Sequence, residues 1–270
     1  MSSSYLDNFH FQVRGNESRP KLVFLHGLLG SGMNWSTIAK HFLEDFHVLT
    51  FDQRGHGRSF HPPTGYAPED YAEDLRRILD ELAWERVFLV GHSMGGRNAV
   101  RFTDFYPQRV EKLVIEDIGP NVVVESEQRI ETILKNIPVP FKDKGAARMF
   151  FQNDFHVIFS DRPDILTLKD FLYSNLTSGA GGVTWRFSVP GILQTVREAH
   201  QNARWQDFIE IKVPTLLIRG ENSQELPVDV FQELLRRNSQ IQGLEIPQAG
   251  HWVHSDQPDA FVRALHNYLN

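Results

Sequence analysis

Arg86-Val87-Phe88-Leu89-Val90-Gly91-His92-Ser93-Met94-Gly95-Gly96, running on through Arg97–Tyr106 to Pro107, is the stretch from which the rest of the chain can be read. A short apolar run stops at a glycine, and a longer segment of helical pattern follows. Such a run, bounded in this way, reads as a strand buried on both faces and leading into a helix. The turn between them, Gly91-His92-Ser93-Met94-Gly95, fits the pattern G-x-S-x-G. By itself the pentapeptide says little: with Gly and Ser each near ~7% of residues, roughly one chain in ten of this length matches by chance. Its setting between strand and helix carries the argument, because that is where a nucleophile elbow forms. The turn forces strained angles on the serine and requires small residues around it. It also points the Met94 amide and the helix N-terminus at the space beside the serine oxygen.

Outward from this centre the same rhythm repeats. Lys21–Leu25, Val48–Phe51, Leu113–Ile115, Thr215–Ile218 and the shorter Leu244–Ile246 are further apolar runs. Between them lie amphipathic stretches, of which Pro68–Leu82 places Tyr71, Leu75, Ile78, Leu79 and Leu82 near a 3.6-residue spacing. Continuous strands alternating with helices predict an α/β fold, its central sheet mostly parallel and covered by helices on both faces. A first strand near Phe9–Val13 is expected as an antiparallel edge. From Pro120 to about Arg204 the alternation stops, aromatic residues crowd in, and Gly179-Ala180-Gly181-Gly182 breaks the segment. The expected organisation is therefore a core of residues 1–119 and 205–270, with a helical cap, 120–204, over the sheet's carboxyl edge, where α/β sheets bind ligands.

Composition narrows the function classes. The 270 residues carry 28 Lys+Arg against 34 Asp+Glu, a net charge of −6 without a basic run, which argues against nucleic acid as a partner. No apolar stretch approaches the ~18 residues of a membrane span. The opening Met-Ser-Ser-Ser-Tyr5-Leu6-Asp7 lacks the layout of a secretion signal, and there are no cysteines, so a cytoplasmic location is expected.

A serine hydroxyl needs a base, and histidine is the side chain poised for that near neutral pH. Of 12 histidines, His251 in Gln248-Ala249-Gly250-His251-Trp252 follows the last short strand, which puts it on the same sheet edge as Ser93; His254 is the alternative. The His251/His254 spacing is not that of a zinc helix, and no metal is expected. His26-Gly27-Leu28-Leu29-Gly30 follows the Leu22–Leu25 strand, where a second oxyanion donor belongs, and the Leu28 amide is the candidate beside Met94. His26 is read as a packing and hydrogen-bonding residue of that loop.

With these motifs the chain resembles the α/β-hydrolases over nearly its whole length. His26-Gly27, Asp52–Ser59, Gly91–Gly96, Val213-Pro214-Thr215-Leu216 and Gly250-His251 all match. The resemblance implies a cofactor-free hydrolase and one departure from its usual pattern. Most such enzymes carry the triad acid three residues after the glycine that ends the strand following the cap, and here Gly220-Glu221-Asn222-Ser223 places Ser223 there. Some members take the acid from the strand next to the nucleophile's, which points to Asp117 in Glu116-Asp117-Ile118-Gly119-Pro120; Glu116 and Glu221 stay open as alternatives. Ser223 then becomes a possible supporting group. The run Asp117–Pro120, Gly220–Ser223 and Gly250–His254 together resemble an esterase-like subgroup.

The chain is rich in Phe (20), and Trp185, Phe187 and Trp252 are expected to line an apolar acyl pocket. The resulting expectation is a serine hydrolase of small to medium carboxylic esters or thioesters. Carbon–carbon hydrolysis or perhydrolysis with the same triad, and a non-catalytic binding protein of the fold, are the alternatives. Oligomeric state is not legible in the sequence.

Overall fold

A computed structural model describes residues 4–121, 124–160, 162, 164–201 and 203–270, with the side chains of 124–127 excepted. Seven strands form the main sheet: β1 (Phe11–Arg14), β2 (Lys21–Leu25), β3 (His47–Phe51), β4 (Val87–His92), β5 (Val110–Glu116), β8 (Thr215–Gly220) and β9 (Ile241–Ile246). Their order is β1-β3-β2-β4-β5-β8-β9, and every pair is parallel except β1 with β3. The antiparallel edge expected near Phe9–Val13 is thus β1.

Alternation within the buried strands sorts their side chains onto two apolar layers. Val23, Leu25, Leu89, Leu113, Ile115 and Leu217 join one, with residues of the helices α1 (Pro68–Glu81), α2 (Met94–Phe105) and, further along the chain, Val228–Arg237. Leu22, Phe24, Val90, Val114, Leu216 and Ile218 join the other, with the Trp35–Phe42 segment and the last helix, Pro258–Leu269. With helices on both faces, the loops at the carboxyl ends of the strands carry the candidate site residues.

Between β5 and β8 the chain supplies most of a third apolar cluster, which Leu29 of the loop after β2 completes. It contains α3 (Val124–Asn136), α4 (Ile165–Ser174) and α5 (Val189–Gln201). Beside the expected helices it also contains a hairpin, β6 (Leu176–Gly179) and β7 (Gly182–Trp185), where only helices and loops were expected. The Gly-rich stretch is the turn of that hairpin rather than a gap between helices. Gly182 has φ +111°, and a Cβ there would lie 2.2 Å from the Phe141 carbonyl oxygen, a site only glycine can fill. Among the described residues no helix is long and apolar enough to cross a membrane.

Candidate active site

Ser93 sits between the end of β4 and the first residue of α2 with φ +53° and ψ −119°, the strain expected of the turn. Its N–H donates to the Glu116 carbonyl at 2.9 Å, tying the turn to β5. The flanking glycines are steric necessities. A Cβ on Gly91 would stand 2.3 Å from the Gly95 carbonyl oxygen, and one on Gly95 2.4 Å from that of Leu25. Larger residues would push the helix off the strands and flatten the turn.

The loop after β9 brings His251 to the serine: His251 Nε2 lies 3.0 Å from Ser93 Oγ. On its other side His251 Nδ1 lies 2.8 Å from Asp117 Oδ2. Asp117 is fully buried, just past β5, and its own N–H continues the sheet ladder to Ile218. Its φ of +51° turns the side chain out of the strand. Oδ1 accepts the Gly220 N–H at 3.0 Å, and Oδ2 also accepts the Ser223 hydroxyl. The Ser223 oxygen in turn accepts the amides of Glu225 and Leu226 at 3.1 and 3.3 Å, which leaves its proton for the carboxylate. Burial is the largest influence on His251 and pushes its pKa down. The hydrogen bond to Asp117 and that carboxylate's charge, with Glu225 and Glu116 behind them, outweigh it and raise the pKa above the ordinary value.

The alternatives for acid and base are engaged elsewhere. Glu116 and His254 pair with each other: Glu116 Oε1 accepts both the His254 N–H and Nδ1 at 2.8 Å, and both residues are buried. Glu221 accepts the Gln248 amide at the surface. His26 Nδ1 donates to the Gly27 carbonyl while Nε2 accepts the Gln53 amide at 2.9 Å, a loop-holding role that keeps the ring neutral. Burial accordingly pushes its pKa down to about 4. His92, the second residue of the pentapeptide, escaped the sequence reading. Its Nε2 donates to the His251 carbonyl at 2.9 Å and so steadies the histidine loop from beneath. The only signal for it was its place in the motif, where any residue is allowed. His92, Glu116 and His254 bring ligand atoms within 4.8 Å of one another, the single buried set of that kind among the described residues. Each already holds a hydrogen bond within the protein, so the set reads as a packed polar cluster.

Ser93, His251, Leu28, Met94 and Trp252 all line one cavity of about 170 Å³. Met94 begins α2, so its amide is one of the first helical N–H groups without an intrahelical partner. The His26–Gly30 loop runs close by, because a Cβ on Gly27 would come within 3.4 Å of Ser93 Cβ. Trp185 and Phe187 do not line this cavity, contrary to expectation. They stack on each other with ring centres 4.9 Å apart, inside the apolar cluster of the inserted segment. Aromatic content cannot separate a pocket wall from a core. Ile130, Ile133, Leu168 and Phe171 supply apolar wall instead.

Comparison with known proteins agrees with this architecture. The chain matches the family model described as the alpha/beta hydrolase fold over residues 20–258. It is 31% identical to the sn-1-specific diacylglycerol lipase ABHD11 of Mus musculus over 94% of this chain and 82% of that protein. It is 29% identical to Esterase YbfF of Escherichia coli (strain K12), over 97% of this chain and 98% of the esterase. Among solved structures, an E-2-(acetamidomethylene)succinate hydrolase superposes with a TM-score of 0.83 at 25% identity, covering 97% of this chain and 94% of that one. These three relatives are hydrolases by name, and the family match spans most of the sequence. The chain therefore belongs to the alpha/beta hydrolase fold family and is a hydrolase.

Proposed function

We propose that the protein hydrolyses carboxylic esters of small to medium size, thioesters included, through an acyl-enzyme on Ser93. The observation that carries this reading is the Ser93–His251–Asp117 chain of hydrogen bonds on the wall of an apolar cavity. His251 Nε2 takes the Ser93 proton as Oγ attacks the substrate carbonyl. The carbonyl oxygen becomes an oxyanion that the Leu28 and Met94 amides hold, each such donor being worth about 10²–10³ in rate. Collapse of the tetrahedral adduct expels the alcohol or thiol, which takes its proton from the imidazolium. Water then enters, gives a proton to His251 and attacks the acyl-serine; the imidazolium returns that proton to Ser93 Oγ as the acyl–oxygen bond breaks and the carboxylic acid leaves. Asp117 holds the imidazole in the tautomer with its proton on Nδ1 and balances the imidazolium charge, while Ser223 and the Gly220 amide hold Asp117. The segment 120–204 acts as a cap that closes the acyl cavity. No cofactor takes part in this scheme.

The names esterase and lipase among the relatives support the ester class. A binding protein would gain nothing from a strained serine hydrogen-bonded to a carboxylate-backed histidine. The test is reaction with a fluorophosphonate probe, Ser93→Ala serving as control, followed by a panel of nitrophenyl esters of rising acyl length beside acyl-CoA thioesters. Labelling confined to the wild type, with turnover of the short and middle esters, is expected. Failure of Ser93 to label overturns the reading.

A further inference from the structure

Arg97 follows Ser93 by one helical turn, its N–H donating to the Ser93 carbonyl at 3.1 Å. Residues so spaced share a helix face, and both line the same cavity. The Arg97 side chain is only 6% exposed. Its Nη2 donates to the Gly119 carbonyl at 2.9 Å, while Nε and Nη1 have no hydrogen-bond partner among the described residues. Other cations on the cavity wall are matched. Arg129 pairs with Glu225 at 3.1 Å, and Arg162 with Asp164 at 2.6 Å. Among the described residues none offers Arg97 a carboxylate at ion-pair distance. Burial above all pushes its pKa down, to about 10, with Arg204 adding to the fall and Glu225 opposing it from further off, so it stays charged at neutral pH.

A buried cation with so few hydrogen bonds is costly, because the ion has lost its water without full replacement. An anion delivered by the substrate removes that penalty and satisfies a planar fork suited to carboxylates. The same cavity wall includes Leu28, Ile130, Ile133 and Leu168, whose side chains suit methylene groups. We propose that Arg97 binds the free carboxylate of a half-ester of a dicarboxylic acid, so that the preferred substrates carry an anionic acyl chain. Hydrolysis then yields the dicarboxylate and the alcohol. The inference deepens the ester reading above and rests on it.

The experiment measures kcat/KM by pH-stat for monoethyl succinate, glutarate and adipate against ethyl butanoate, pentanoate and hexanoate, in wild type, Arg97→Met and Arg97→Lys. At least one half-ester is expected to exceed its neutral counterpart tenfold or more in the wild type. That ratio should fall at least thirtyfold in Arg97→Met and less in Arg97→Lys. If every neutral ester is the better substrate, or if the ratio survives in Arg97→Met, the proposal is overturned. Should Arg97→Met fail to fold, a ratio in Arg97→Lys equal to the wild type's overturns it, and a fall of fivefold or more supports it. Fluorophosphonate labelling runs in parallel. Labelled Ser93 with neutral preference removes only this inference, whereas unlabelled Ser93 removes the ester reading with it.

Discussion

The hydroxyl of Ser223 donates its hydrogen bond to Oδ2 of Asp117, the same oxygen that faces His251 Nδ1. The position three residues past Gly220 thus holds a donor to the acid rather than the acid itself. β5 and β8 are adjacent and parallel, so their carboxyl ends present Asp117 and the Gly220–Ser223 turn side by side. A carboxylate reaching His251 can start from either strand, and in this chain it starts from β5.

Asp117→Asn is expected to lower turnover by about 10⁴, as loss of the charge with the shape retained does in a serine protease. Ser223→Ala removes one of the donors to that carboxylate and should cost roughly tenfold. Glu221→Gln, at a surface bond, should stay within about twofold of wild type. Steady-state kinetics on one nitrophenyl ester checks all three, and a larger loss in Glu221→Gln than in Asp117→Asn contradicts the assignment.

The acid limb of kcat/KM should lie above the ordinary histidine value. His251 must be neutral to accept the Ser93 proton, and Asp117 raises its pKa against the pull of burial. Activity is therefore lost as pH falls through that raised value. In Asp117→Asn the charge is gone while burial remains, so the midpoint of the residual activity should move to lower pH. A pH–rate profile that does not move speaks against Asp117 as the partner.

Acid should also weaken the fold through His26 and His56. Both are fully buried, and burial first of all pushes their pKa values down, to about 4 and about 3. A histidine with a lowered folded pKa takes up its proton more readily when unfolded, so its contribution shrinks as pH drops below the ordinary value of 6.5. For His26 the loss between pH 6.5 and pH 4 amounts to about 3 kcal/mol. Urea unfolding at pH 7 and pH 5 should show the fall, and His26→Asn should flatten it. An unfolding midpoint insensitive to pH in that window would contradict the buried neutral state.

Trp185 and Trp252 should separate stability from specificity. Trp185→Ala opens a hole in the inserted segment's core and should cost about 3–5 kcal/mol without changing the ratio of long to short esters. Trp252→Ala widens the cavity beside Ser93 and should shift that ratio toward longer acyl groups. Thermal melts and an acyl-length series distinguish the two outcomes.

How much was readable in advance differs between elements for physical reasons. The strands and the elbow were legible because burial on both faces demands unbroken apolar runs, and because Gly91 and Gly95 leave no room for a side chain. Ser93 and His251 followed from their places at strand ends, which topology fixes to one sheet edge. The hairpin Leu176–Trp185 was not legible, since a Gly-rich stretch punctuates helices and hairpins alike.

Only the family resemblance singled out Asp117 in the sequence; by residue type and strand-end position alone, Glu116 and Glu221 stayed open beside it. Distances between parts of the chain far apart in sequence then show which partner each carboxylate takes: Asp117 takes His251, Glu116 takes His254, and Glu221 takes a surface amide. The same holds for Trp185 against Trp252 and for the Arg97 guanidinium, two of whose nitrogens lack a hydrogen-bond partner among the described residues, because the meaning of each depends on which neighbours folding brings close. Local steric and hydrophobic demands are written along the chain. Pairings between distant polar groups arise only once packing has set the strands side by side.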